Sequence, residues 1–200
     1  MAGTAGNPWH QRHGHTQAQY GPRKNVPMTV NAANRSTAAQ KIVFATRRSG
    51  ANHRPDPRVS RFINQHTIPV QFNVKEDVGA PSRYHAQWTP AIIYQDVDGN
   101  EFRRSFGPLN PDQFLAEFSL ANALRFYHSG QFDKSAGLFE QALEYTQIDP
   151  WRHAENLYWI GPARYEGSGS VDDLMAGFKK LQETYPNSDW TKKTTQLKVD

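Results

Sequence analysis

No cysteine occurs among the 200 residues. That absence removes disulfide staples and every form of thiolate catalysis, although it is compatible with any cellular compartment. No apolar run approaches the roughly 18 residues that span a bilayer, and the first residues lack the apolar core of a secretory signal. A protein without a membrane span, working in the cytoplasm, is the expectation. Acidic residues are also missing from the first quarter of the chain. Residues 1–56 hold eight Lys or Arg against the single acid Asp56, a net of +7, whereas the remaining residues hold 15 basic against 18 acidic, a net of −3. The overall +4 therefore belongs to the N-terminal stretch, and the body is mildly acidic.

Apolar residues are scarce as well, 37% of the chain, with a mean hydropathy of -0.78. The shortage is concentrated in residues 1–40, which are rich in Gly, Pro, Asn, Gln, Thr and His. Such a segment buries too little apolar surface to offset its ordering entropy, so residues 1–55 are expected to be a disordered basic tail. Within them, Lys41-Ile42-Val43-Phe44-Ala45 is a lone apolar run with the length of a short strand.

From Pro57 the pattern changes. Val59, Phe62 and Ile63 share one helical face, with Asp56 as N-cap and Pro57 at the first helical position. Ile68 to Val74 alternates apart from Pro69, as a strand does. Ala91-Ile92-Ile93-Tyr94 leads into Asp98-Gly99 and then Glu101 to Phe106, and an Asp-Gly turn between two such runs predicts a β-hairpin. Asn110-Pro111 opens a helix lined by Phe114, Leu115, Phe118 and Ala121, after which the pattern is helical throughout. Phe139 with Ala142, and Phe178 with Leu181, repeat the same spacing 39 residues apart, which suggests two related helical hairpins. Pro162 is predicted to kink or split the helix that contains it.

Two resemblances follow from these residues. The helix, the strand, Trp88-Thr89-Pro90, the hairpin and the closing helix over residues 56–118 resemble a thioredoxin-like domain downstream of its redox motif. Gly130-x-Phe132-Asp133-x-x-Ala136-x-x-Phe139-x-x-Ala142-Leu143 is similar to the second helix of a tetratricopeptide hairpin, and Ala154 to Gly161 resembles the first. The implied fold class is α/β plus all-α: a partial thioredoxin-like domain over 56–118, then tetratricopeptide-like hairpins over 119–200. The resemblance further implies that Pro90 is cis, and that Trp88, Thr89 and Pro90 border a groove where an extended peptide pairs with the backbone. Only about ten residues separate Ala45 from Asp56, too few for the strand, Cys-x-x-Cys turn and long helix of the family. The expected function is thus a redox-inactive interaction scaffold. The rival is a degenerate oxidoreductase of cell redox homeostasis that has lost its Cys-x-x-Cys segment, for instance through a frame shift upstream of residue 56.

The remaining site readings are negative. His10, His13, His15 and His53 have no carboxylate or thiol beside them to complete a metal set, so neither metal nor other cofactor is expected. The basic tail carries only Trp9, Tyr20 and Phe44, too few rings for a single-strand stacking platform, and a protein or peptide partner is expected instead of nucleic acid or membrane. No nucleophile with a base at a recognisable spacing is visible, so catalysis is not expected. The aromatics of the helical region, Trp151, Trp159 and Trp190 among them, read mainly as core. Two hairpins are marginal alone and are expected to dock on the first half or on another subunit.

Overall fold

The computed structural model describes residues 40–46 and 56–195. The lone apolar run of the sequence becomes strand β1 (Gln40–Thr46) at the inside of a four-stranded sheet. Helix α1 (Pro57–His66) leads into β2 (Thr67–Asn73), which lies parallel to β1 on one side. On the other side β3 (Ala91–Gln95) pairs antiparallel with β1, and β4 (Glu101–Phe106) antiparallel with β3, giving the order β2-β1-β3-β4. A short helix α2 (Ala80–Arg83) precedes β3. The reading of residues 1–55 as tail is therefore corrected at Gln40: residues 40–46 form an inner strand. Ile42, Val43 and Ala45 are fully buried between β2 and β3, and it is this pairing with distant segments that gives the run its place. Residues 1–39 and 47–55 lie outside the described residues, as do the four histidines considered for metal.

Local chemistry accounts for the boundaries. The Asp56 carboxylate accepts the Arg58 N–H at 2.7 Å with Pro57 at the first helical turn, as its cap pattern predicts. The hairpin turn is wrapped around Asp96, whose Oδ1 accepts the N–H groups of Asp98 (2.9 Å) and Asn100 (2.8 Å), while Gly99 supplies φ +89°. Pro69 is tolerated because β2 is an edge strand, where a missing donor costs no ladder bond. One sheet face, with Ile42, Ile92 and Tyr94, packs under α1 and the helix α3 (Pro111–His128). The other, with Val43, Ala45 and Ile93, is covered by the segment containing Tyr84 and Ala86.

Helix α3 is buried nearly all round because it serves two cores. Phe114, Phe118 and Ala121 meet the sheet, and Leu120, Ala123 and Leu124 meet the helices that follow. It runs without a break across residue 118, where the sequence reading divides the chain. Helices α4 (Phe132–Thr146), α5 (Pro150–Ser168), α6 (Val171–Thr184) and α7 (Asp189–Thr194) come next, each packed on its predecessor across loops of a few residues, so neighbours run antiparallel. The predicted split at Pro162 does not occur, since α5 is continuous from Pro150 to Ser168. The proline forfeits one backbone bond, and burial of Ala154, Leu157, Ile160 and Ala163 along the same helix outweighs that loss.

The internal repeat is more regular in structure than in sequence. The N-caps of α3, α5 and α7 are Asn110, Asp149 and Ser188, spaced 39 and 39 residues apart, each accepting a backbone N–H of its own first turn. The turn glycines Gly130 and Gly169, with φ +74° and +72°, keep the same interval. Where α5 crosses α6, two glycines meet: a Cβ added to Gly177 would lie 2.6 Å from the Gly161 Cα. Gly177→Ala therefore forces two backbones apart and should cost about 1–3 kcal/mol. Gly137, in α4 and with open space around it, provides the contrast, because Gly137→Ala should gain about 0.8–1 kcal/mol from helix propensity alone. Urea unfolding of both variants checks the opposite signs.

Candidate functional site

Trp88, Thr89 and Pro90 occupy the turn that feeds β3, and the Thr89–Pro90 peptide bond is cis, as the resemblance implies. The turn is held at two points. The Pro90 carbonyl accepts the Gly107 N–H at 2.9 Å, which pins it to the end of β4. Beneath it the Arg104 guanidinium donates to the carbonyls of His85 (2.6 Å) and Tyr84 (2.8 Å), and is itself steadied by Glu101 at 2.7 Å. His85 takes a left-handed φ of +48°, which turns the chain outward just before Trp88. Trp88 is 74% exposed, so it is no part of the core. Phe106, opposite Ala91 at the end of β4, is 51% exposed. No hydrogen bond to the Thr89 backbone is made by any described residue. The turn thus presents an amide plane beside a bare indole at the margin of the sheet, an arrangement suited to an added extended strand.

A second constellation was invisible in the sequence. Arg103 of β4 points to the other sheet face and binds two carboxylates: Nε to Glu117 Oε1 and Nη1 to Glu155 Oε1, both at 2.7 Å, with further bonds from Nη2 at 3.2 and 2.9 Å. Arg152 donates from Nε to Glu117 Oε2 at 2.7 Å and from Nη1 to Asp149. The Glu117 and Glu155 side chains are 3% and 9% exposed. Burial would push the Glu117 carboxyl up, but the guanidinium groups of Arg103 and Arg152 hold it below the usual carboxylate range. Burial likewise works against the Arg103 charge, and Glu155 and Glu117 raise its pKa despite it. Each carboxylate faces a saturated guanidinium, so the cluster clamps β4, α3 and α5 together and holds no group poised to transfer a proton. The residues stand 14 and 52 positions apart, a separation no local pattern betrays.

A third polar group joins the ends of α4 and α5. The Thr146 hydroxyl donates to the Ala142 carbonyl at 3.0 Å and accepts from Asn156 Nδ2 at 3.3 Å; His153 Nδ1 lies 3.0 Å from it. Burial, aided by Lys180, lowers the His153 pKa.

Among the described residues no three His, Cys, Asp or Glu side chains gather to hold a metal, and no helix is long and apolar enough to cross a membrane. Compared with known proteins, the chain matches no family model and no curated relative.

Replacing Arg103 by Met leaves the buried Glu155 carboxylate without its partner and Glu117 with Arg152 alone, and should cost about 3–5 kcal/mol. Arg103→Lys should not restore it, since one ammonium cannot serve both partners in the fork geometry. The pH dependence has a definite sign. The Glu117 pKa is lowered by folding, so its contribution is full above the ordinary carboxylate pKa of about 4.3 and is lost as pH falls below it. The stability gap between the native protein and Glu117→Gln, read from urea unfolding, should close on acidification from that point.

Proposed function

We propose that this chain is a cysteine-free thioredoxin-like domain fused to tetratricopeptide-like hairpins, acting as a protein-interaction scaffold that binds extended peptide at the Trp88–Thr89–Pro90 turn. Support for the fold comes from the strand and helix succession β1-α1-β2-α2-β3-β4-α3 with strand order β2-β1-β3-β4, together with the 39-residue spacing of the helix caps. The observation that carries the function is the pairing of a bare Trp88 with an uncommitted Thr89 backbone. An indole that is free in the monomer becomes an anchor when a partner covers it, and tryptophan is enriched among such anchors. With no thiol anywhere in the chain, binding there is not coupled to disulfide exchange.

One observation favours a second reading, descent from an active oxidoreductase. Strand β1 takes an inner place in the sheet ahead of α1, and the resembled family likewise has a strand before its redox turn. The alternative reading frames of the codons preceding residue 56 should then encode a Cys-x-x-Cys segment; its absence counts against a recent frame shift.

Two measurements test the main reading. Insulin reduction should show no turnover. An apolar extended peptide should bind with an affinity that Trp88→Ala lowers by about 30-fold, the equivalent of about 2 kcal/mol for a central aromatic anchor. Unchanged binding in Trp88→Ala sinks the assignment of the site.

A further inference from the structure

Helix α2 ends on a Schellman pattern that lacks its usual glycine. The Ala86 N–H bonds back to the Pro81 carbonyl at 2.8 Å and the His85 N–H to the Ser82 carbonyl at 3.3 Å, with Tyr84 as C-cap. The residue that has to turn left-handed is therefore His85, at φ +48°, where glycine is the common choice. A side chain in that region is disfavoured by roughly tenfold. A helix of four residues has little hold on its own end, so the turn needs support from outside.

Arg104 supplies it. Its Nη1 donates to the His85 carbonyl at 2.6 Å and its Nη2 to the Tyr84 carbonyl at 2.8 Å. Nε and Nη2 grip Glu101 at 2.7 and 2.5 Å, and the guanidinium carbon lies 5.7 Å from the centre of the Phe106 ring. One planar fork thus reaches two successive carbonyls and a carboxylate, which an ammonium cannot do. Tyr84 is also stacked on Phe72 of β2, with ring centres 5.2 Å apart, and Ala86 is buried. Only Gln87 stands between Ala86 and the exposed Trp88, and its N–H bonds to the same His85 carbonyl at 3.2 Å. That carbonyl is the joint at which the chain is directed towards Trp88.

We propose that Arg104 is the positioning residue of the Trp88 site: it holds His85 in the left-handed turn, and so keeps Trp88 and the Thr89 backbone in the arrangement that receives an extended peptide. The role presupposes peptide binding at this turn and is exerted through His85, not on the peptide itself. Without the fork, the turn is left to the intrinsic preference of a histidine, which takes the left-handed form in about one molecule in ten. Apparent affinity then falls in proportion to the competent fraction.

The probe is a pentapeptide of alternating Val and Thr, capped at both ends, titrated calorimetrically into the full-length protein. Arg104→Ala should weaken its binding by about tenfold, and Arg104→Lys by nearly as much, since the ammonium cannot span both carbonyls. His85→Gly, placed on the Arg104→Ala background, should recover most of the lost affinity, because glycine takes the left-handed turn unaided. Urea unfolding checks that every variant is folded under the conditions of the titration, where a role confined to stability would leave affinity unmoved. Trp88→Ala is titrated alongside. Binding lost in Trp88→Ala but unchanged in Arg104→Ala, or a loss in Arg104→Ala that His85→Gly leaves unrepaired, overturns the positioning role and leaves the peptide site standing. No binding to the native protein, or binding unchanged in Trp88→Ala, overturns both.

Discussion

The structure depends on a single buried arginine. Arg103 sits on β4, yet its bonds go to α3 and α5, so the sheet and the helical hairpins share one set of charges. Buried charges are tolerated only when fully bonded, and breaking such a set costs more than an apolar substitute of the same shape would have cost from the start. The cluster thus acts through geometry: β4, α3 and α5 must arrive together or leave carboxylates unpaired. Arg152 extends the same logic to the N-cap of α5, since its guanidinium bridges Glu117 and Asp149. The sheet half and the helical half cannot separate while this clamp holds, and α3 is a wall of both.

With that joint rigid, the candidate peptide site and the hairpins belong to one body. Arg104, the next residue along β4, faces the other way and secures the carbonyls of Tyr84 and His85 under the Trp88 turn. Two adjacent arginines on alternating sides of one strand therefore anchor the hairpins on one face and the candidate peptide site on the other. The aromatic residues of the helices complete the joint. Tyr158 contacts Trp159, Phe178 and Trp190, linking α5 to α6 and α7. The expectation that these rings are core is met in part: Tyr127, Tyr158, Trp159 and Trp190 are partly buried against the helical core, whereas Trp151 is 54% exposed at the start of α5.

How far the chain was legible follows the range of the interactions involved. The Asp98-Gly99 hairpin and the Asp56 and Asn110 caps were readable because their chemistry is complete within a few residues. The split expected at Pro162 did not occur, because an isolated proline penalty is a local quantity and the helix around it is stabilised by contacts with α4 and α6. Strand β1 was half visible: its four apolar residues, Ile42 to Ala45, stood out, but a tail-like composition on both sides argued for leaving it outside the domain. Only its ladders with β2 and β3, segments 27 and about 50 residues later, assign it the inner position. The exposure of Trp88 was not legible, because exposure is set by what the rest of the fold places above a side chain.

By itself, then, the amino-acid sequence determined the absence of thiol chemistry, the turn and cap positions, and the 39-residue rhythm of the helices, since each depends on residue type and short spacing. Tertiary structure decided the rest. It made β1 an inner strand, turned Arg103, Glu117, Glu155 and Arg152 from apparent surface charges into a buried clamp, and brought Arg104 against the carbonyls of Tyr84 and His85. The physical reason is common to all three. Burial and pairing are properties of what a residue meets across the fold, and side chains brought together from 14 to 52 positions apart carry no mark of that meeting in their own neighbourhood.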